Sequence, residues 1–199
     1  MTKALKIDQI AYFDFGGKNI YKPTKISYNM SVAIIKNNLK YSLNLEKYKQ
    51  VILYLVEKLD GKLEGKKKFM KLLYYVEFDF FEKYGEPFTS ETFEKYPMGP
   101  FAANFKVVLE DLEKSGDIKV AKEKKVHHHK ETEIFMLNKT QDYNFEPEEK
   151  NMIDRVIRLY GQKTGKYLEE LTHSEAPWNA VGDYEVIDPE LSYYRDTQF

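Results

Sequence analysis

The spacing of hydrophobic positions changes at about residue 45. Before that point, apolar residues alternate loosely with polar ones in the stretches 7–15 and 26–32, on either side of Gly16-Gly17. This alternation predicts strands or mixed structure. From Glu46 onward, apolar residues recur every three or four positions, which is typical of helices. We therefore predict an N-terminal extension over residues 1–45, followed by a helical domain over residues 46–182.

Five apolar stripes at helical spacing follow Glu46, and a helix-start signal follows the last of them. Gly, Asp-Gly or Ser-Gly ends most of the stripes, and Pro or Thr stands where several begin, as is usual at helix ends. The predicted helices lie after Glu46 up to Asp60-Gly61, from Lys66 to Gly85, from Pro100 to Ser115-Gly116, from Pro147 to Gly161, after Thr164 through Leu171, and at Ala176-Pro177-Trp178 after a capping sequence over 172–175. We expect residues 88–100 to form a loop.

Two short alternating stretches, 117–121 and 133–137, predict the strands of a β-hairpin. The connection between them, Lys122 to Thr132, is polar and basic. A helix followed by a hairpin with a charged tip has the outline of a winged helix. The predicted fold is therefore mainly α with a small β-hairpin at about 117–137.

The last stretch of the chain, residues 183–199, is acidic and rich in tyrosine. The pattern leaves three interpretations open for this C-terminal tail. It is a strand that docks on a partner, a degradation tag, or solvated chain.

Composition excludes several classes of protein. The 199 residues include no cysteine, which excludes a disulfide scaffold, a thiol nucleophile and a thiolate metal site. No apolar run approaches the ~20 residues of a membrane span, and the N-terminus lacks a signal-peptide pattern, so we expect a cytoplasmic protein. Lys and Arg total 31 against 32 Asp and Glu, giving a net charge of −1. A globally basic nucleic-acid binder is excluded, but a local basic patch is not.

No complete catalytic or cofactor motif is present. The stretch 61–66 suggests a phosphate loop, but its glycines are one residue too close and Lys67 stands where Ser or Thr is required. His127 and His129 would share one face of a strand, yet two imidazoles form an incomplete metal site. We predict no metal, no cofactor and no enzymatic activity, with these two histidines as weak candidate ligands.

DNA binding through clustered lysines is one hypothesis for the function of the protein. Lysines in the first turn of a helix oppose the helix dipole, which suggests another purpose for them, although a solvated face is the simpler interpretation. The candidate phosphate contacts are Lys66, Lys67 and Lys68 in that turn and Lys122, Lys124, Lys125 and Lys130 around the hairpin tip.

Three segments, taken in order, resemble one known family. Residues 68–75 read KFMKLLYY, residues 96–101 read YPMGPF, and residues 171–178 read LTHSEAPW. They are similar to the Lys-x-x-Lys-Leu-Leu-Tyr helix, the Tyr/Trp-x-x-Gly-Pro turn and the closing Leu-(Ser/Thr)-His-x-x-x-Pro-Trp segment of the SocA-like Panacea antitoxin domain. The resemblance spans roughly residues 46–182.

This resemblance implies an antitoxin of a bacterial or phage toxin–antitoxin system. Members are mainly helical with a small hairpin, have no attributed catalysis, and mostly neutralise a toxin from a neighbouring gene by direct contact. One founding member instead delivers its toxin to a cytosolic AAA+ protease, and antitoxins often repress their own operator DNA. Segments outside the shared core differ between members, so residues 1–45 are the expected source of partner specificity.

Large and turn-forming residues of the motifs are candidate partner contacts, because Trp and Tyr are enriched at interface centres. The alternative is that they are buried hinges of the core, since both residue types also bury well in ordinary cores. For His173, a buried structural role is the alternative. The candidates are Tyr96, Met98, Gly99, Pro100, Phe101, His173, Pro177 and Trp178.

Overall fold

A computed structural model describes residues 42–124 and 131–196 of the chain. The chain divides after Ser42, and residues Leu43–Phe199 form one compact unit. The strands predicted within residues 1–41 lie outside the described residues, as does the hairpin tip at 125–130.

The described residues are mainly helical, as the sequence predicted, and they contain two small antiparallel sheets in place of the one predicted hairpin. The α-helices are α1 (Leu45–Lys58), α2 (Lys66–Tyr84), α3 (Phe105–Ser115), α4 (Pro147–Tyr160), α5 (Gly165–Ser174) and α6 (Ala176–Asn179). The strands are β1 (Lys62–Glu64), β2 (Phe93–Tyr96), β3 (Gly99–Ala102), β4 (Ile118–Lys124) and β5 (Glu131–Leu137), and a 3-10 helix spans Pro189–Tyr194.

Helix α2 is the centre of the fold. All of its residues from Phe69 to Phe81 are buried, and it packs against α1, α4, α5, β3 and the 3-10 helix. Burial on every side explains why its apolar stripe is so broad in the sequence. Three charged residues of this helix, Lys71, Glu77 and Asp79, are also buried. Buried charges require partners, so these three residues need polar or oppositely charged groups in the segments that pack against α2.

The predicted hairpin is present, and it belongs to a larger sheet. Strand β5 pairs with β4 along its whole length and with β1 on its other side, in the order β1-β5-β4. The Phe135 ring of β5 lies 5.0 Å from Phe69 of α2 and 6.0 Å from Phe105 of α3, which joins the sheet to the helical core. Strand β1 was not predicted, because three residues are too few to show an alternation.

The expected loop at 88–100 was wrong in part. Residues 93–102 form a β-hairpin in which Lys95 pairs with Pro100 and Tyr96 with Gly99. Pro100 therefore lies in β3, and helix α3 begins five residues later, at Phe105. Pro is common at helix starts but also fits an edge strand, where its missing N–H costs no ladder hydrogen bond.

The stretch predicted as a C-terminal tail is folded as far as Asp196. Tyr184 N donates to Lys95 O at 2.7 Å and Ile187 N donates to Phe93 O at 2.8 Å, so this segment continues the β2–β3 hairpin. Ile187 and Arg195 are buried. Solvated chain is therefore the wrong interpretation of the described part of this stretch.

Local capping signals account for the starts of α4 and α5. Glu146 and Glu149 form a capping box around Pro147 at the start of α4. Thr164 Oγ1 accepts a hydrogen bond from Tyr167 N at the start of α5, as predicted. The predicted cap at 172–175 was wrong in part, because residues 172–174 end α5 and only Glu175 stands at the N-cap of α6.

Across the part of the chain that the structure describes, no helix combines the length and apolar character needed to cross a membrane.

Candidate functional site

The three motifs meet beside the first half of α2. Lys71, from the first motif, is only 2% exposed, and its Nζ donates to the backbone oxygen of Pro100 at 3.1 Å. Burial lowers the pKa of Lys71 to about 7, because an ammonium group loses its hydration there. A lysine on the central helix therefore holds the Gly-Pro turn.

Gly99 is where all three motifs come into contact. Its backbone φ of +98° lies in a region that residues other than glycine rarely adopt. A Cβ atom at this position would overlap Cε and Nζ of Lys71 and would lie 3.1 Å from Thr172 Oγ1. The glycine is required both by the turn and by the close approach of its neighbours.

His173 and Trp178, from the third motif, stack on one another. Their ring centroids are 4.1 Å apart and the planes differ by 11°. On the Trp178 ring, Lys95 Nζ lies 4.8 Å from the centroid and also donates to Val181 O at 2.9 Å. Burial lowers the pKa of His173, which favours the neutral ring. His173 Nε2 is buried and has no hydrogen-bond partner among the described residues.

Glu175 joins the third motif to α2. It accepts hydrogen bonds from the hydroxyls of Tyr74 and Tyr75, each at 3.1 Å, and lies 3.7 Å from Arg195 Nη1. Burial raises the pKa of Glu175 to about 7, although Arg195 and the two hydroxyls oppose that shift.

Arg195 is a buried charged residue that was not among the predicted site residues. Its Nη2 donates to Asp79 Oδ1 at 2.7 Å, and its Nε donates to Glu82 Oε2 at 2.9 Å. Asp79 also accepts from Arg155 at 2.7 Å. The one available signal is that Arg195 is the single basic residue within 183–199.

The candidate partner contacts differ in exposure. Gly99, Pro100, Pro177 and Trp178 are buried. Tyr96, Met98, Phe101 and His173 are partly exposed, and the rings of Tyr96 and Phe101 lie 5.1 Å apart. The motifs thus present a limited surface and mainly hold the hairpin, α2, α5 and α6 together.

The candidate lysines have separate surroundings. Lys67 pairs with Glu169 of α5, and Lys66 lies 5.2 Å from the Phe101 centroid. Burial lowers the pKa of both Lys66 and Lys68. Lys122 and Lys124 are exposed on β4.

The histidine run and the rest of the hairpin tip lie outside the described residues, which leaves the roles of Lys125, Lys130, His127 and His129 as predictions. Within 42–124 and 131–196, no group of three or more His, Asp or Glu residues is placed to hold a metal ion.

The sequence model of one family, described as "Antitoxin SocA-like, Panacea domain", matches residues 69–179. The chain belongs to this family. The match begins in α2 and ends after Trp178, so it contains most of the first motif and all of the other two. Comparisons with curated proteins and with solved structures gave no match. The resemblance predicted from residues 68–75, 96–101 and 171–178 is confirmed. In this Panacea domain the three motifs form one packed unit.

Proposed function

We propose that this protein is an antitoxin that neutralises a cognate toxin by direct protein–protein binding. Membership in the SocA-like Panacea antitoxin family carries the proposal. The toxin is expected from a neighbouring gene of a bacterial or phage locus, and the protein is expected to act in the cytoplasm without enzymatic activity.

The geometry of the motifs supports a binding role. Lys71, Gly99 and Thr172 are in close contact inside the domain, and Trp178 is covered by His173 and Lys95. Such packing makes a rigid scaffold, and rigid scaffolds lose little entropy when they bind a partner.

Coexpression with the neighbouring gene tests the proposal. We expect growth to be rescued and the two proteins to copurify at a fixed stoichiometry. Rescue without a complex, lost when the host's AAA+ protease is deleted, would instead identify an adaptor that delivers the toxin for degradation. If the product of the neighbouring gene is toxic and coexpression does not rescue growth, both the direct-binding and the adaptor proposals are contradicted.

The order of the elements favours DNA binding as a second candidate. Helix α3 precedes a hairpin whose strand β5 also pairs with β1, which suits a winged-helix-like arrangement. Lys119, Lys122 and Lys124 are exposed on β4. However, α3 exposes three acidic residues, Glu110, Asp111 and Glu113. Its exposed basic residues are only two, Lys106 and Lys114.

An acidic excess on the helix that would face DNA repels phosphates, so we rank this candidate second. A mobility-shift assay on the protein's own promoter at low salt tests it. Binding that weakens when Lys122 and Lys124 are changed to Gln would support it, and no shift would exclude it.

A further inference from the structure

Three exposed tyrosines stand at the ends of two packed elements: Tyr84 is the last residue of α2, and Tyr193 and Tyr194 are the last two of the 3-10 helix that packs on it. Tyr84, Tyr193 and Tyr194 are 37%, 53% and 75% exposed. The hydroxyl of Tyr193 lies 3.4 Å from the position that a Cβ would take at Gly85, directly after Tyr84. We call these three residues the tyrosine strip. Single exposed aromatics are ordinary, whereas adjacent ones mark interaction surfaces.

Interior contacts of Arg195 and Tyr193 hold the tyrosine strip in place. Arg195 follows it directly and is fixed in the interior by Asp79, Glu82 and Glu175. The Tyr193 ring also lies 5.7 Å from the Phe81 ring of α2. Because these contacts already order the backbone that carries the rings, little conformational entropy is lost when a partner binds there.

The segment that carries Tyr193 and Tyr194 is negatively charged at its exposed positions. Within the described residues 183–196, every exposed charged side chain is acidic: Asp183, Glu185, Asp188, Glu190 and Asp196. The basic residue of this segment, Arg195, is buried. One exposed cation, Lys83, lies over the Tyr84 ring at 5.2 Å. The exposed face of this segment, which includes Tyr193 and Tyr194, therefore complements a positively charged partner.

We propose that the tyrosine strip is the surface that binds the toxin, and that the toxin surface facing it is rich in arginine and lysine. Guanidinium groups stack on tyrosine rings and pair with carboxylates, so one Arg side chain uses both features of this surface. The inference rests on the proposed antitoxin function and extends it by naming the contact surface and the chemistry of the partner.

Two variants of the full-length chain test the inference, with the product of the neighbouring gene as the probe. Tyr194→Ala removes the most exposed ring, and Glu190→Lys reverses a charge beside it. Tyr167→Ala and Glu170→Lys are the matched controls on α5, where Tyr167 is 45% exposed and Glu170 is also exposed. Thermal unfolding of all four variants is measured alongside affinity, so that a loss of folding is recognised.

We expect each strip variant to weaken the complex by about 30-fold or more, the effect of losing an interface hot spot, and each control to change it less than about 3-fold. Glu190→Lys is also expected to reduce the salt dependence of the affinity.

Unchanged affinity of both strip variants, with the wild-type complex intact, would overturn this inference and leave the antitoxin function standing. A wild-type protein that forms no complex would overturn the proposed function and this inference with it.

Discussion

At the scale of single residues, Lys71 and Gly99 form the contact on which the shared motifs depend. The lysine passes over the turn and donates to Pro100 O, and only a residue without a side chain leaves room for it. The burial of the lysine is compatible with folding because its pKa is low, about 7, so that much of it is neutral near that pH.

Replacing Gly99 by Ala tests this contact. We expect a loss of about 1–2 kcal/mol in the free energy of unfolding from the left-handed backbone, plus about 1–3 kcal/mol from the overlap with Lys71. Gly116→Ala is the matched control, because Gly116 also has a positive φ, of 75°, but its Cβ position lies 4.0 Å from the nearest atom, Lys139 Nζ. Denaturant unfolding measures both variants, and equal losses would show that the overlap is relieved.

The buried amine of Lys71 also predicts a pH dependence of stability. Its pKa rises from about 7 in the folded protein to its ordinary value near 10.5 on unfolding, so the unfolded chain binds more protons between these values. The free energy of unfolding should therefore gain up to about 1.4 kcal/mol per pH unit from this group across that window.

Lys71→Met should remove this gain, while Lys67→Met, which loses a partly exposed ion pair with Glu169, should retain it. Denaturant unfolding between pH 6.5 and 9.5 measures the slope for each protein. The same slope in both variants would mean that another group is responsible.

At the scale of elements, the C-terminal segment is held by strand pairing, by packing of its 3-10 helix and by one buried side chain. Residues 184–187 extend the β2–β3 hairpin, and the 3-10 helix packs on α2 and α6. Arg195 then places its guanidinium among carboxylates from α2 and the start of α6. Both ends of α2 are thus tied to segments distant in sequence.

Arg195→Met is expected to lower the free energy of unfolding by about 3–5 kcal/mol, because it leaves buried carboxylates without their counter-charge. Arg158→Met on the exposed side of α4 is the control and should change it by less than about 0.5 kcal/mol. Thermal and denaturant unfolding provide the measurement. A small effect of Arg195→Met would show that water or Arg155 compensates Asp79.

The predictability of each element followed from its length and pattern. Helices α1, α2, α4 and α5 have apolar stripes long enough to show the helical period, and the β4–β5 hairpin alternates clearly. The β2–β3 hairpin was missed because four-residue strands containing Gly99 and Pro100 resemble a loop. Strand β2 also pairs with residues 184–187, which are far away in sequence, and such contacts decide whether a short strand forms.

At the scale of the whole molecule, residues Leu43–Phe199 form one compact unit with a core centred on α2. Asn44 at the N-cap of α1 accepts from Lys47 N and donates its own N–H to Thr89 O at 2.8 Å, so the unit begins with a satisfied helix end. A complete core and a capped start are what an independently folding domain requires.

We therefore predict that a fragment starting at Ser42 folds on its own and unfolds cooperatively. Circular dichroism during heating checks this, with the full chain as the reference. A broad, non-cooperative transition would contradict it. The same fragment in the growth-rescue assay then tests whether residues 1–41, most of the predicted N-terminal extension, supply partner specificity.

The sequence by itself determined the family, the helix-rich fold class, helices α1, α2, α4 and α5 and the β4–β5 hairpin, because motif order and local periodicity are properties of neighbouring residues. The tertiary structure decided that Gly99 lies under Lys71, that Pro100 belongs to a strand, and that Arg195 is buried beside an exposed tyrosine strip. The contacts of Lys71 and of Arg195 join residues that are far apart in the chain. Burial and charge pairing, which act only once α2 is enclosed, select them.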